Sequence, residues 1–295
     1  MQTVTSTLTA PIIDVYRNRG YTDPLKVLTR DEVAALRPSL EAIMTVPGLA
    51  PTPAAADVDG RLASRLSPDG GSIVPYVESR HLDSAPVLEL CLTPAIVRAA
   101  TAIYGPDLVL WRTTFINKQP GGREFRWHQD FGGVYSRGAE YGLEPPVFFT
   151  IYVAITDAKR QHGCLEFIPG VRAILPMVPS SSGKNATMLT DPSSVDESRR
   201  EYMELNAGQC TIFSDRALHC SAPNTSGEER LVFVMRLTFP MVKVRSHFPN
   251  HRCVVLAGED RVRINNAVSA RALLESLRSR RVPIASSAGV AASVQ

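Results

Sequence analysis

The chain has 295 residues, 44% of them hydrophobic and 21% charged, and a net charge of +3. That length easily buries a sizeable core, and so small a charge gives no reason to invoke nucleic acid or an anionic membrane surface. No apolar run reaches transmembrane length, and the start MQTVTSTLTAPII lacks the basic and apolar regions of a secretory signal. Five cysteines, at 91, 164, 210, 220 and 253, show no CxxC spacing, so a cytoplasmic protein without disulfide scaffold or structural zinc is expected.

In chain order, helices gather at the front. Thr29 with Glu32 forms a capping box before VAAL, and Pro38 should kink or end that helix early. The stretch from about 48 to 72, rich in Pro, Ala, Asp and Gly, reads as a long loop. Thr93-Pro94 opens a second helix, IVRAATAIY, with Gly105 as its stop. The middle and rear are β-rich: VLWRTTFIN, VFFTIYVAIT, CLEFI, CTIFS and LVFVMRLTF. A last helix, VSARALLESLRSRR, precedes a small-residue tail from 282 that should fray. Its basic end is the usual complement to a helix C-terminus. One domain is expected, with a helical part to about residue 105, a β core over about 106–260, and the C-terminal helix and tail.

Two strands alternate informatively. Val147, Phe149, Ile151, Val153 and Ile155 share one face, with Phe148, Thr150, Tyr152, Ala154 and Thr156 on the other. Likewise Leu231, Phe233, Met235 and Leu237 oppose Arg230, Val232, Val234 and Arg236. Arginines among valines suit a polar-lined cavity between two sheets better than a solvent surface.

Within FRWHQDFGG, His128 and Asp130 sit two apart, so an extended segment points both to one side. Alone, HxD is a weak signal that a surface turn satisfies equally well. His219 follows a short apolar strand, and Arg230 opens the next strand eleven residues later. Together the four fit one chemistry. Two histidines and a carboxylate form a facial triad for Fe(II) with three positions left open. A 2-oxoacid and O2 can fill these, and arginine suits the far carboxylate of such a co-substrate.

RHLDS at 80–84, GPDLVLWRTTFINKQPGG at 105–122, WHQD at 127–130, TDAKRQHGCLEFIPG at 156–170, AGQCTIF through the arginine strand, and VVLAGEDR at 254–261 carry a resemblance. From about residue 80 to 260 the sequence resembles the phytanoyl-CoA dioxygenase (PhyH) superfamily of Fe(II)/2-oxoglutarate enzymes, within it the branch of syringomycin-type nonhaem iron halogenases. The resemblance implies a mainly β fold with flanking helices: a double-stranded β-helix, the cupin-like jelly roll. It implies iron ligands His128, Asp130 and His219, and Arg230 as binder of the 2-oxoglutarate carboxylate. Tyr152 and Thr114 match further co-substrate contacts, and Arg236 shares Arg230's face as a helper. Trp127, Phe131, Tyr135, Arg137 and Lys118 are candidate pocket residues, with a structural role the default expectation for each.

The halogenases of that branch carry a small residue where this chain has Asp130, so hydroxylation is expected over halogenation. The expected cofactors are Fe(II), 2-oxoglutarate and O2. The expected substrate is a small molecule, an amino acid or secondary-metabolite intermediate, free or tethered to a carrier protein. The same site could serve desaturation, epoxidation or cyclisation. Two rivals remain: a zinc hydrolase, in which Arg230 has no role, and a non-catalytic jelly-roll binding protein.

Overall fold

The computed structural model describes residues 9–44, 79–131, 142–179, 188–245 and 251–279. The loop expected over 48–72, the tail from 282, and Tyr135 and Arg137 lie outside the described residues. Among the described residues the helices used below are α1 (Thr9–Arg19), α2 (Arg30–Met44), α3 (Ala85–Cys91), α4 (Pro94–Tyr104) and α5 (Ala270–Ser279). The strands are β1 (Leu25–Lys26), β2 (Leu108–Lys118), β3 (Phe125–His128), β4 (Gly142–Glu144), β5 (Phe149–Ala154), β6 (Leu165–Ile168), β7 (Met177–Pro179) and β8 (Met188–Thr190). They continue with β9 (Glu201–Met203), β10 (Gln209–Ser214), β11 (Leu218–Ser221), β12 (Arg230–Thr238), β13 (Lys243–Arg245), β14 (Val254–Ala257) and β15 (Val268–Ser269).

Seven strands form one sheet in the order β1-β10-β5-β12-β2-β14-β15, and four form a second, β3-β11-β6-β9. The two sheets share a core, as a double-stranded β-helix requires. The alternation read from sequence sorts the side chains between layers. Phe149, Ile151 and Val153 of β5, with Leu231, Phe233, Met235 and Leu237 of β12, pack against Val87 and Leu88 of α3 and Ile96 and Ala100 of α4. Each such side chain contributes about 1.5–3 kcal/mol when fully buried. Tyr152, Ala154, Val232 and Val234 point the other way, onto Leu165, Phe167 and Met203 of the four-stranded sheet.

A register shift in β12–β2 lies beside the mixed face: Arg236 pairs with Arg112, and Leu237 with Leu110, so Trp111 is extra. This bulge keeps Leu108 and Leu110 in the helix-side core while Trp111 turns to a third cluster with Phe148 and Val244.

The Thr29–Glu32 capping box forms, with Thr29 N–H donating to the Glu32 carboxylate at 2.7 Å and Glu32 N–H to Thr29 Oγ1 at 3.2 Å. Pro38 does not end α2, which runs through it to Met44. The ring removes the bond to the Ala34 carbonyl, but Val33 and Leu40 on either side are buried. Arg37 is also anchored to Glu41 and Glu229 at 2.6 and 2.7 Å. Tertiary packing thus overrides the break. The last helix starts later than its pattern suggests, because Val268 and Ser269 pair in parallel with β14 before α5 begins.

No single described helix is long and apolar enough to cross a membrane; α3 with α4 meets that test only as a bent pair. All five cysteines are free and buried.

Candidate metal centre and co-substrate pocket

β3 and β11 run antiparallel with His128 and His219 as direct partners, which places their rings 4.1 Å apart, centroid to centroid. Asp130, two residues beyond His128, completes a cluster whose ligand atoms all lie within 4.8 Å of one another. The backbone sets both tautomers. His128 Nδ1 donates to the Arg126 carbonyl at 2.8 Å, and His219 Nδ1 to the Ala217 carbonyl at 2.9 Å. In each ring Nε2 is therefore the lone-pair nitrogen offered to the cluster. Burial, with His128 next to it, lowers the His219 pKa to about 3, so that imidazole is neutral, the form that ligates metals.

Asp130 is 7% exposed. Burial alone would raise its carboxyl, but the Arg236 charge and the Thr150 hydrogen bond oppose that, and it is held well below the usual carboxylate range. Thr150 Oγ1 donates to Oδ2 at 2.7 Å and Arg236 Nη2 to Oδ1 at 2.8 Å. The donor set of two imidazoles and one ionised carboxylate fits a divalent transition metal.

Gln129 between the two ligands is structural. Its Nε2 donates to the Ala173 and Arg216 carbonyls at 2.9 and 2.7 Å, and its Oε1 accepts from Leu175 N–H at 2.9 Å. Trp127 turns to the opposite face, where Nε1 donates to Glu197 and the ring lies 5.6 Å from the Arg200 guanidinium. Phe131 is buried, its N–H donating to the Asp215 carbonyl at 2.9 Å.

The inner face of the seven-stranded sheet aligns the remaining expected residues. Thr114 on β2 and Tyr152 on β5 flank Val234 of β12, while Arg230 and Lys118 are cross-strand partners. Arg230 is 1% exposed and donates Nη1 to the Gly163 carbonyl. Gly163 has φ +67°, and a Cβ there would meet the Ala222 carbonyl at 2.2 Å, which accounts for glycine in HGCL. Lys118 Nζ donates to Ser221 Oγ at 2.8 Å and the Ala222 carbonyl at 2.6 Å. Burial, then repulsion from Arg230, lowers its pKa to about 7.

Thr114 Oγ1, Tyr152 Oη and Arg230 Nε are buried and have no hydrogen-bond partner. Buried polar groups are ordinarily paired, and each one left unpaired costs about 1–3 kcal/mol. These two hydroxyls and one guanidinium nitrogen lie on three adjacent strands, β2, β5 and β12.

The model of the family described as phytanoyl-CoA dioxygenase (PhyH) matches residues 16–232. The chain belongs to the PhyH family. Among curated relatives, it is 26% identical over 175 residues to "Dioxygenase lolE1" of Epichloe uncinata, covering 58% of this chain and 62% of that one. It is also 26% identical over 137 residues to "Phytanoyl-CoA dioxygenase domain-containing protein 1" of Danio rerio, covering 44% of each. The chain thus spans between two fifths and two thirds of the length of these relatives. The PhyH fold recurs in the solved structure "CytC3 with Fe(II) and alpha-ketoglutarate", with TM-score 0.65 and 21% identity over 89% of this chain and 94% of that one.

The structure brings together His128, Asp130 and His219, and aligns Thr114, Tyr152 and Arg230 along one inner face. Arg236 reaches Asp130 instead. Sequence reasoning missed Thr150 as a partner of Asp130, although it shares the mixed face with Tyr152 two residues on. RHLDS, part of the resemblance, is structural: Arg80 pairs with Asp83 at 2.8 Å, and His81 Nδ1 bonds with Thr113 Oγ1 at 2.9 Å.

Proposed function

We propose that the protein is an Fe(II)- and 2-oxoglutarate-dependent dioxygenase that hydroxylates an aliphatic carbon of a small molecule. One observation carries this reading: two histidines with backbone-fixed tautomers and an ionised carboxylate converge within 4.8 Å. His128, Asp130 and His219 would hold iron, and PhyH membership supports that choice of metal. Bound there, iron with 2-oxoglutarate supplies O2-dependent oxidation of a C–H bond, coupled to conversion of the co-substrate to succinate and CO2.

The chain's own residues bind and orient. Arg230 holds the distal carboxylate through its free edge. Thr114 and Tyr152 supply hydroxyls along the way, each buried and unpaired. Ile116, Val232 and Val234 line the same stretch and exclude water. Asp130 occupies the position that is small in the related halogenases, which favours hydroxylation. The halogenase-like resemblance favours an amino acid or related metabolite as substrate, free or carrier-tethered.

The test is Fe(II)- and O2-dependent succinate formation from 2-oxoglutarate across a panel of amino acids, with His219→Ala as control. Turnover in the wild type and its loss in His219→Ala are expected. Zinc-dependent hydrolysis without 2-oxoglutarate consumption would contradict the proposal.

A further inference from the structure

Arg236 lies on the inner face of β12 with Arg230, but the two serve different places. Six residues of strand separate them, roughly 20 Å at about 3.3 Å per residue. Arg236 is the direct cross-strand partner of Thr150 on β5. From adjacent strands their side chains converge on one carboxylate: Thr150 on Oδ2 of Asp130 at 2.7 Å, Arg236 on Oδ1 at 2.8 Å. We propose that Arg236 and Thr150 are positioning residues for Asp130, fixing the plane of its carboxylate so that it meets the two imidazoles as a ready-made triad. This rests on the metal reading given above.

The chemistry supports the division of labour. An ionised carboxylate has about four lone-pair sites, and these two bonds use one on each oxygen, leaving one on each for a metal. Both donors come from stiff groups on paired strands. Threonine is β-branched and restricted at χ1, and the guanidinium is a planar fork that cannot lose its proton. Asp130 itself lies two residues past the end of β3, where the backbone has turned helical, so the strand pairing that places His128 does not place its carboxylate. A ligand just off a strand needs such neighbours to point consistently.

Two variants test this without altering net charge, so Coulomb repulsion of the bound cation is the same as in wild type: Thr150→Val and Arg236→Lys. The probe is Co(II), titrated anaerobically by calorimetry and followed by its ligand-field absorption. Both variants should bind Co(II) roughly 10- to 100-fold more weakly, with an altered ligand-field spectrum and a thermal midpoint close to wild type. Thr150→Ser, which restores the hydroxyl, should recover most of the affinity. The affinity of the Co(II)-loaded variants for 2-oxoglutarate should stay at the wild-type value. Unchanged Co(II) affinity and spectrum in both variants would overturn the inference. So would a loss confined to 2-oxoglutarate binding in Arg236→Lys, which would make Arg236 a co-substrate residue. Failure of the wild type itself to bind Co(II) would instead sink the metal reading.

Discussion

Arg230→Gln isolates the co-substrate claim. Arg230 is 1% exposed, with Nη1 committed to the Gly163 carbonyl and Nε unpaired. A carboxylate on that free edge gains a charge-assisted hydrogen bond of about 1.5–3 kcal/mol, roughly ten- to a hundredfold in Kd. A second cation tempers the loss. Lys118 is Arg230's cross-strand partner, and its pKa is lowered to about 7 by burial and then by Arg230. Removing the guanidinium lifts that repulsion, leaving Lys118 more fully charged and able to take over part of the attraction. The single variant should therefore fall near the lower figure, about tenfold. The double variant Arg230→Gln/Lys118→Met should lie toward a hundredfold. The assay is anaerobic calorimetry of 2-oxoglutarate on Fe(II)-loaded protein, together with the 2-oxoglutarate KM. Metal affinity should change less than twofold, because neither residue touches the triad. An unchanged Kd and KM in both variants would refute the reasoning.

Three further outcomes follow from the same geometry. Tyr152→Phe removes a buried, unpaired hydroxyl, so urea denaturation should show stability equal to or above wild type while 2-oxoglutarate Kd rises by about 0.5–1.5 kcal/mol, several-fold; a parallel loss of stability would contradict the pairing assigned to it. Lys118, lowered to about 7 in the fold against about 10.4 unfolded, leaves the unfolded chain holding the extra proton between those values. Its contribution to stability therefore rises with pH from about 7, by up to about 1.4 kcal/mol per pH unit, and Lys118→Met should abolish that component in urea melts at pH 7 and 9. Asp130→Ala should lose most hydroxylation and leave Arg236 and Thr150 donating into the vacated position, where chloride can enter. Product analysis in chloride buffer should show little hydroxylated product, and wild-type hydroxylation would show that Asp130 is not a ligand.

What the sequence made legible is what repeats locally. Period-two alternation placed Phe149, Ile151 and Val153 toward the helices and Tyr152 toward the second sheet, because strand pleating leaves no other choice. His128 and Asp130 were visible as an i, i+2 pair, and His219 and Arg230 by their places around one turn. What escaped depends on contacts between distant segments. Arg236 and Asp130 are 106 residues apart, and only strand register shows that Arg236 meets Thr150 rather than extending Arg230's site. The buried Lys118–Arg230 pairing needs the β2–β12 register in the same way. Pro38 misled for a related reason: its local cost is real, but buried Val33 and Leu40 and the Arg37 ion pairs are not written in the helix's own sequence.

The most direct test of the central claim is anaerobic addition of Fe(II) and then 2-oxoglutarate to the wild-type protein, read by visible absorption. Chelation of the triad-bound metal by the 2-oxoacid should produce a metal-to-ligand charge-transfer band that saturates with one equivalent of each and bleaches on admitting O2. His219→Ala should give no band. A wild type that binds Fe(II) yet develops no band with saturating 2-oxoglutarate would contradict the account.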